Sequence, residues 1–291
     1  FATRLAPQSL LPEGEEAFPL EALPLLEEPG VALAAEITRW PQVVAGEEGL
    51  LEGILRAHLL GRRAEAHGAG ASYAKLAALA AAGLDADHEA LTAEEVLNRL
   101  RLGFWTMLRH SSLRPDLPAL LEGLPLPPSP RLLLTTDGAA PSFYAREGFP
   151  GLLRRVSAWA GPIEALRLAT LNPATFLALD GLLGGLAPGR LADFLLLEAP
   201  DAFAPLAVYV GGELVAREGR LLEPLPAPPW RKASLGFVRA PFGDPDRYLL
   251  GSAPVLRLEN AVITRQTREA SEGVAAFLLD PPGAGPGRSP G

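Results

Sequence analysis

Four polar residues end successive strand-like runs in the first half of the chain: Glu36, His67, His88 and Asp137. If these strands are parallel, their carboxyl ends meet at one face, where the four side chains would lie close together. Two carboxylates and two imidazoles form a suitable ligand set for a divalent metal. Such a metal lowers the pKa of a bound water, and a neighbouring carboxylate can take up the proton. The pattern therefore predicts a hydrolytic metal site.

Other titratable residues allow more than one interpretation. Glu89 follows His88 directly, so it either faces a substrate or gives the next helix a favourable starting charge. His58 lies inside a predicted helix and His110 near the end of another, where both are expected to be structural or exposed. Asp137 precedes a glycine, a pair that is also common in plain turns.

Hydrophobic periodicity predicts the elements that position these residues. The predicted strands cover residues 31–36, 63–67, 84–89 and 131–137, and the predicted helices cover 49–60, 72–82 and 92–107. The first helix carries its apolar face at Leu50, Leu51, Ile54, Leu55 and Leu59. Strands that alternate with helices indicate parallel βα units, in a barrel or a doubly wound sheet. No glycine-rich phosphate loop follows these strands, which disfavours a nucleotide cofactor.

In the second half of the chain, the spacing of hydrophobic residues is first helical and then, from Ala192, typical of strands. Asn172 is predicted to cap a helix, and Gly211 and Gly212 to form a hairpin turn between two strands. The predicted elements of this half are helices at 163–170 and 173–179, a strand at 194–198, the hairpin of two strands at 207–215, and a strand pair within 255–265.

Composition excludes several classes of protein. The 291 residues carry a net charge of −8 and no cysteine, so a disulfide scaffold, a thiolate nucleophile and cysteine-bound metal are excluded. The acidic balance argues against nucleic-acid binding, and no apolar run is long enough to span a membrane. We expect a cytoplasmic protein. The low content of Asn, Gln and Cys is compatible with a thermophilic source.

Several short segments match the pattern of a known family in order and spacing. They are residues 36–41 (EITRWP), 65–70 (EAHGAG), 86–89 (ADHE), 92–95 (TAEE) and 134–137 (LTTD). They resemble bacterial adenine deaminase, a family of the amidohydrolase superfamily. Residues 169–174 (ATLNPA) and 186–193 (LAPGRLAD) are similar to the passage from barrel to β-sandwich across that superfamily. The resemblance covers most of the chain.

The resemblance implies an α/β fold, a metal-dependent (β/α)8 barrel with a small β-sandwich unit. It makes His67 and His88 metal ligands, Glu36 a ligand that can bridge two metals, and Asp137 both a ligand and the proton shuttle. Glu89 joins Asp137 as a catalytic residue. The implied reaction is hydrolysis of adenine to hypoxanthine and ammonia by a metal-activated hydroxide that adds to C6. Mn or Fe is expected rather than Zn, with a small purine as substrate and a homodimer as the assembly.

The chain also departs from the family pattern. It contains no His-x-His pair, which in the superfamily supplies two further ligands, so a binuclear site would need ligands upstream of Phe1. Gly138 stands where the family usually has a second acidic residue, and Ala140-Pro141 stands where it has His-Pro. Two alternatives therefore stay open. One is an amidohydrolase that acts on a cyclic amide or N-acyl substrate, and the other is a catalytically degraded paralogue.

Length bears on the domain organisation. A complete barrel takes about 250 residues, and position 1 is Phe, so we expect the chain to lack its natural beginning. The predicted organisation is a partial barrel with strands four to eight at 1–190, β-sandwich strands at 191–223, a linker and C-terminal remnant at 224–279, and a loose tail at 280–291.

Overall fold

A computed structural model describes residues 20–224 and the strand residues 255–258 and 264–267. The chain divides into two compact units, Phe1–Pro224 and Leu225–Gly291. The predicted tail and residues 225–229 of the predicted linker lie outside the described residues. Within the described part, none of the helices is long and apolar enough to cross a membrane.

Five parallel strands form the main sheet of the first unit. They are β1 (Leu33–Ile37), β2 (Arg63–Ala66), β3 (Ala86–Asp87), β4 (Trp105–Arg109) and β5 (Leu132–Thr135). Their spatial order is β1-β2-β3-β4-β5, so each strand pairs in parallel with the next strand of the chain. All five carboxyl ends therefore point to the same edge. The prediction of a parallel α/β fold is confirmed.

Helices connect the strands and cover the sheet. They are α1 (Trp40–Ala45), α2 (Glu48–Leu59), α3 (Tyr73–Ala81), α4 (Ala93–Arg101), α5 (Leu117–Leu121), α6 (Pro141–Arg146), α7 (Gly148–Ala160), α8 (Pro162–Ala169) and α9 (Leu171–Phe176), after a 3₁₀ helix at Leu20–Glu27. One buried apolar cluster includes Leu50 and Leu79, and a second includes Leu120 and Val156. Each cluster removes apolar surface from water, which is the main driving force for folding.

The buried face of α2 differs in part from the prediction. Leu50 and Ile54 are buried as expected, but Leu55 and Leu59 are 58% and 71% exposed. Ala57 completes the buried stripe instead. Positions 50, 54 and 57 follow the spacing i, i+4, i+7 of one helical face, whereas Leu55 and Leu59 belong to the neighbouring face.

The predicted helix over residues 92–107 is wrong in its last part. It begins as expected, with the Thr92 side chain accepting a hydrogen bond from the Glu95 amide. However, α4 ends at Arg101, Gly103 turns the chain with φ +88°, and β4 follows. A short buried strand has a continuous apolar run, which periodicity does not distinguish from a buried helix. Because β4 lies between β3 and β5, the four predicted site residues do not end consecutive strands.

The β-rich segment after residue 190 is an antiparallel sheet of four strands in chain order. Its strands are β6 (Phe194–Leu196), β7 (Ala207–Val210), β8 (Glu213–Arg217) and β9 (Arg220–Leu221). Gly211 and Gly212, both with positive φ, form the predicted hairpin turn between β7 and β8. In the second unit, β10 (Val255–Leu258) and β11 (Thr264–Thr267) form the predicted strand pair.

Asn172 is not the N-cap of the last helix. It lies within α9, and its side-chain amide donates a hydrogen bond to the Leu132 carbonyl at 2.9 Å. Asn172 is buried, so this bond satisfies a polar group that would otherwise be costly to bury. The residue therefore ties α9 to β5.

A buried ion pair fixes the loops at the ends of β2 and β3. Asp87 and Arg99 are almost fully buried, and the Arg99 Nε donates to Asp87 Oδ1. Asp87 also accepts hydrogen bonds from the amides of Gly68, at 2.6 Å, and Glu89, at 2.9 Å. The Arg99 guanidinium in turn donates to the Gly68 carbonyl at 3.3 Å. These contacts hold the residues that follow His67 and His88.

Gly68→Ala is expected to lower the free energy of unfolding by about 1–3 kcal/mol, as overpacking usually does. A Cβ at this position would lie 2.5 Å from Asp87 Oδ2, and that carboxylate cannot move without losing buried partners. Denaturant unfolding measures the change. Gly30→Ala is the control, since a Cβ there meets nothing within 4 Å. Equal losses in the two variants would contradict this prediction.

Candidate metal centre

The carboxyl edge of the parallel sheet brings the predicted site residues together. Glu36 lies in β1, His67 follows β2, His88 and Glu89 follow β3, and Asp137 lies two residues after β5. Because neighbouring parallel strands end side by side, residues distant in sequence become neighbours in space. We call these five residues the carboxyl-edge cluster.

Their donor atoms form two overlapping groups, each compact enough to hold a small ion. Glu36 Oε1 lies 3.2 Å from His67 Nδ1, and Glu36 Oε2 lies 3.3 Å from His88 Nε2. Glu89 Oε1 is 3.7 Å from His67 Nδ1 and 3.5 Å from His88 Nε2. Ligand atoms of Glu36, His67 and His88 all lie within 4.8 Å of one another, as do those of His88, Glu89 and Asp137. The two groups share His88.

The cluster fits a divalent metal chemically. Imidazole nitrogens and carboxylate oxygens are ligands that Mn, Fe and Zn accept. The His67 Nδ1 is buried and makes no hydrogen bond to any described residue. This nitrogen faces the Glu36 carboxylate at 3.2 Å, and a cation coordinated by both would give it the bond that it lacks. The site thus fits the divalent metal that is expected for such a ligand set.

Glu65 orients one of the imidazoles from the side opposite to the cluster. This buried carboxylate lies 2.8 Å from His88 Nδ1, so the ring donates its Nδ1 proton to Glu65. The lone pair of the neutral ring is then on Nε2, which faces Glu36 and Glu89. A carboxylate behind a metal-binding histidine fixes the ring and its tautomer in this way.

The surrounding charges also change the protonation of the cluster. Burial alone would lower the pKa of His88, but the hydrogen bond and charge of Glu65, with the charges of Asp87 and Glu89, raise that pKa to about 9. The adjacent His67 holds the pKa of the Glu36 carboxyl below its ordinary value, against the opposing effect of burial. At neutral pH the metal-free cluster therefore contains an ionised Glu36 and a protonated His88.

The affinity for a divalent metal is expected to rise with pH. Since His88 has a pKa of about 9, Mn²⁺ must displace a proton from its Nε2 below that pH. The Kd for Mn²⁺ should therefore fall about tenfold per pH unit between pH 7 and 8.5. Titration calorimetry in buffers of different ionisation enthalpy measures the proton released. In Glu65→Gln, which lacks the charge that raises this pKa, the pH dependence should weaken. A Kd independent of pH in the unaltered protein would contradict the prediction.

Arg109 is a site residue that the sequence reasoning missed. It ends β4, and its buried guanidinium donates hydrogen bonds to Glu89 Oε1 and, at 2.7 Å, to Asp137 Oδ2. Although burial raises the pKa of Asp137, the bond from Arg109 and the charge of His88 hold it below its ordinary value. Asp137 is thus ionised at neutral pH and fixed in position next to Glu89.

Asp137 has an unusual backbone conformation. Its φ of +49° lies in the left-handed region, which Asp tolerates better than most residues. Its amide donates to the Thr135 Oγ1 at 3.1 Å. The side chain remains 39% exposed, so the carboxylate faces both the cluster and open space. Asp137 is the exposed member of the candidate ligand group that it forms with His88 and Glu89.

The other two histidines lie outside the cluster. His58 is in α2 as predicted, with its Nε2 2.6 Å from the Gly83 carbonyl oxygen. The prediction that His110 lies near a helix end is wrong, because it directly follows β4 and is only 4% exposed. Its position next to Arg109 places it at the carboxyl edge of the sheet.

Comparisons with known proteins identify relatives. Residues 19–215, more than half of the chain, match the Amidohydrolase family. An adenine deaminase of Deinococcus deserti is 39% identical over 206 residues, which are 70% of this chain and 37% of that protein. An adenine deaminase of Nitratidesulfovibrio vulgaris is 35% identical over 204 residues, which are 69% of this chain and 35% of that protein. The chain spans just over a third of the length of these curated relatives.

A solved structure agrees on the fold. The β-aspartyl dipeptidase of Fervidobacterium islandicum AW-1 superposes with a TM-score of 0.51 over 71% of this chain and 62% of that chain. At 16% identity this likeness concerns the fold alone. The family match agrees with the parallel sheet and with the ligand set at its carboxyl edge. The chain therefore belongs to the amidohydrolase family.

Proposed function

We propose that this protein catalyses the metal-dependent hydrolytic deamination of adenine to hypoxanthine and ammonia. The observation that carries the proposal is the carboxyl-edge cluster, in which two imidazoles and three carboxylates converge with Arg109. The relatives named adenine deaminase support the choice of substrate. Because the chain spans just over a third of those relatives, the activity is proposed for the whole protein.

The proposed ligands are Glu36, His67, His88 and Asp137. A divalent metal held there supplies Lewis acidity and makes water a competent nucleophile near neutral pH. Three of the available donors are carboxylates, which favours Mn or Fe over Zn. A binuclear site would need ligands upstream of Phe1, because His88 belongs to both donor groups and has only its Nε2 available for one ion.

Asp137 is proposed to move the proton. Its ionised carboxylate accepts a proton from the attacking water and delivers it to the departing amine. The oxygen of water adds to C6 of the purine, and its two protons go to N1 and to the exocyclic amine. The C6–N bond then breaks, which leaves ammonia and hypoxanthine with a C6 carbonyl and an N1–H. Arg109 fixes the Asp137 carboxylate and holds Glu89 beside it, and the buried Glu89 orients the substrate or the water.

Ammonia release from adenine tests the proposal. The Mn²⁺-loaded protein should release one ammonia per hypoxanthine formed, as measured by a coupled assay and by chromatography. Dihydrouracil and an N-acetylated amino acid serve as parallel substrates. Turnover of either one without turnover of adenine would reject the deaminase function and favour a different amidohydrolase reaction. Absence of turnover with all three would indicate a degraded site.

A further inference from the structure

A polar cavity lies beside the carboxyl-edge cluster and shares none of its residues. We call it the arginine pocket. Its volume is about 830 Å³, and its walls come from the segment after β4 and from α5, α6 and α7. Arg146, Arg154 and Arg155 line it together with His110. A volume of this size is typical of sites for small ligands.

The pocket is positive although the chain is acidic. Three arginines and one glutamate line it, while the whole chain carries a net charge of −8. Arg155 is held by an ion pair with Glu147 and by a bond to the Gly151 carbonyl, and Arg146 Nε donates to the Ser142 carbonyl at 3.2 Å. Among the described residues, the guanidinium groups of Arg146 and Arg154 therefore have no carboxylate partner at the pocket. A cavity with low-dielectric walls concentrates such a field.

A buried imidazole adds a second, independent observation. His110 lines the pocket and is 4% exposed, and its Nδ1 makes no hydrogen bond to any described residue. Its Nε2 lies 3.8 Å from Glu147 Oε1. Burial, together with the charge of Arg155, lowers the pKa of His110. A ligand that exchanges a hydrogen bond with this ring would satisfy a polar atom that is now costly to bury.

The position of the pocket fits an anion site of this fold. The pocket follows β4 and β5, the last two strands of the parallel sheet. In barrels built from such units, the loops after the last two strands frequently bind phosphate. Two serines contribute hydroxyls to the lining, and Ser112 Oγ accepts a hydrogen bond from the Ala140 amide at 2.9 Å. The pocket thus adjoins the loop that carries Asp137.

We propose that the arginine pocket binds a phosphate group, as inorganic phosphate or as a phosphomonoester. Planar guanidinium groups match phosphate oxygens in geometry and charge, which makes them preferred phosphate ligands. Arg146 and Arg154 bind the anion, and His110 and the Ser112 hydroxyl complete its hydrogen bonds, since the Ser111 hydroxyl donates to the Gly138 carbonyl. This site does not depend on the proposed deaminase function.

Titration calorimetry with the full chain tests the proposal. The probes are inorganic phosphate, ribose 5-phosphate and adenosine monophosphate, with a chelator present so that phosphate does not bind through a metal. We expect saturable binding with a Kd of about 1 mM or tighter for at least one probe. Arg146→Gln combined with Arg154→Gln should weaken that binding at least about tenfold. Both side chains are exposed, so the double variant should keep its Tm.

Matched controls separate the outcomes. Arg101→Gln removes an exposed arginine of α4, outside the pocket, and should leave the affinity unchanged. His110→Gln should also weaken phosphate binding. If that variant fails to fold, the double arginine variant is sufficient to test the proposal. If both esters bind more tightly than inorganic phosphate, the ligand of the pocket is a phosphomonoester. If all three probes bind equally, the ligand is free phosphate. No saturable binding below about 10 mM, or an unchanged Kd in the double arginine variant, would overturn the proposal.

Discussion

Asp137→Asn should lower kcat for adenine about 10²–10⁴-fold, the usual contribution of a positioned general base. Asparagine keeps the shape of the side chain and tolerates a positive φ, but it cannot accept the proton of the attacking water. Metal content should stay close to that of the unaltered protein, because Glu36, His67 and His88 form a group of their own. Steady-state kinetics and elemental analysis of the same preparation measure both quantities.

Asp201→Asn provides the control for this prediction. Asp201 is an exposed carboxylate outside the cluster, so its loss should leave kcat unchanged. A rate within about threefold of the unaltered enzyme in Asp137→Asn would remove Asp137 from the proton path. A large loss of metal together with the loss of activity would instead make Asp137 chiefly a ligand.

Arg109→Gln should lower the free energy of unfolding by about 3–5 kcal/mol, the usual cost of breaking a buried ion pair. The side chains of Arg109 and Glu89 are 2% and 1% exposed, so water cannot replace the lost guanidinium. Denaturant unfolding of the metal-free protein measures the loss. Arg101→Gln, which removes an exposed arginine, should change stability by no more than about 0.5 kcal/mol.

Arg109 should also affect how kcat/KM depends on pH. Because its guanidinium lowers the pKa of Asp137, Arg109→Gln should raise that pKa. Asp137 must be ionised to accept a proton, so the acidic limb of kcat/KM should move to higher pH in Arg109→Gln. Arg109→Lys retains the positive charge and should move the limb less. An unchanged acidic limb in Arg109→Gln would show that Arg109 is only structural.

The sequence predicts that Glu36, His67, His88 and Asp137 converge at one edge of the sheet because the signal is local. Glu36, His67, His88 and Asp137 each follow a short apolar run, and such runs in βα units end at a common edge. The predicted strands that carry them agree closely with β1, β2, β3 and β5. Glu65 could not be inferred in the same way, because it lies within β2 and its role depends on the neighbouring His88.

Arg109 could not be predicted because the hydrophobic pattern extends a helix over residues 92–107, which covers most of β4. Val96, Leu100 and Phe104 recur at intervals of four, which extends the helical pattern beyond the true end of α4 at Arg101. The available signal was Gly103, whose positive φ marks a helix end. A lone arginine also gives no metal-binding signal, unlike a carboxylate or an imidazole. His110 was misplaced for the same reason.

The order of the parallel sheet has a consequence for how the chain folds. Each strand pairs with the next one in sequence, and the paired residues lie 19 to 30 positions apart, from Ala86 with Trp105 to Leu33 with Arg63. The entropy of closing a loop grows slowly with its length, so these four closures cost similar amounts of free energy. The sheet can therefore grow by one βα unit at a time as the chain leaves the ribosome. The proposed metal ligands would accumulate in that order, with Glu36 first and Asp137 last.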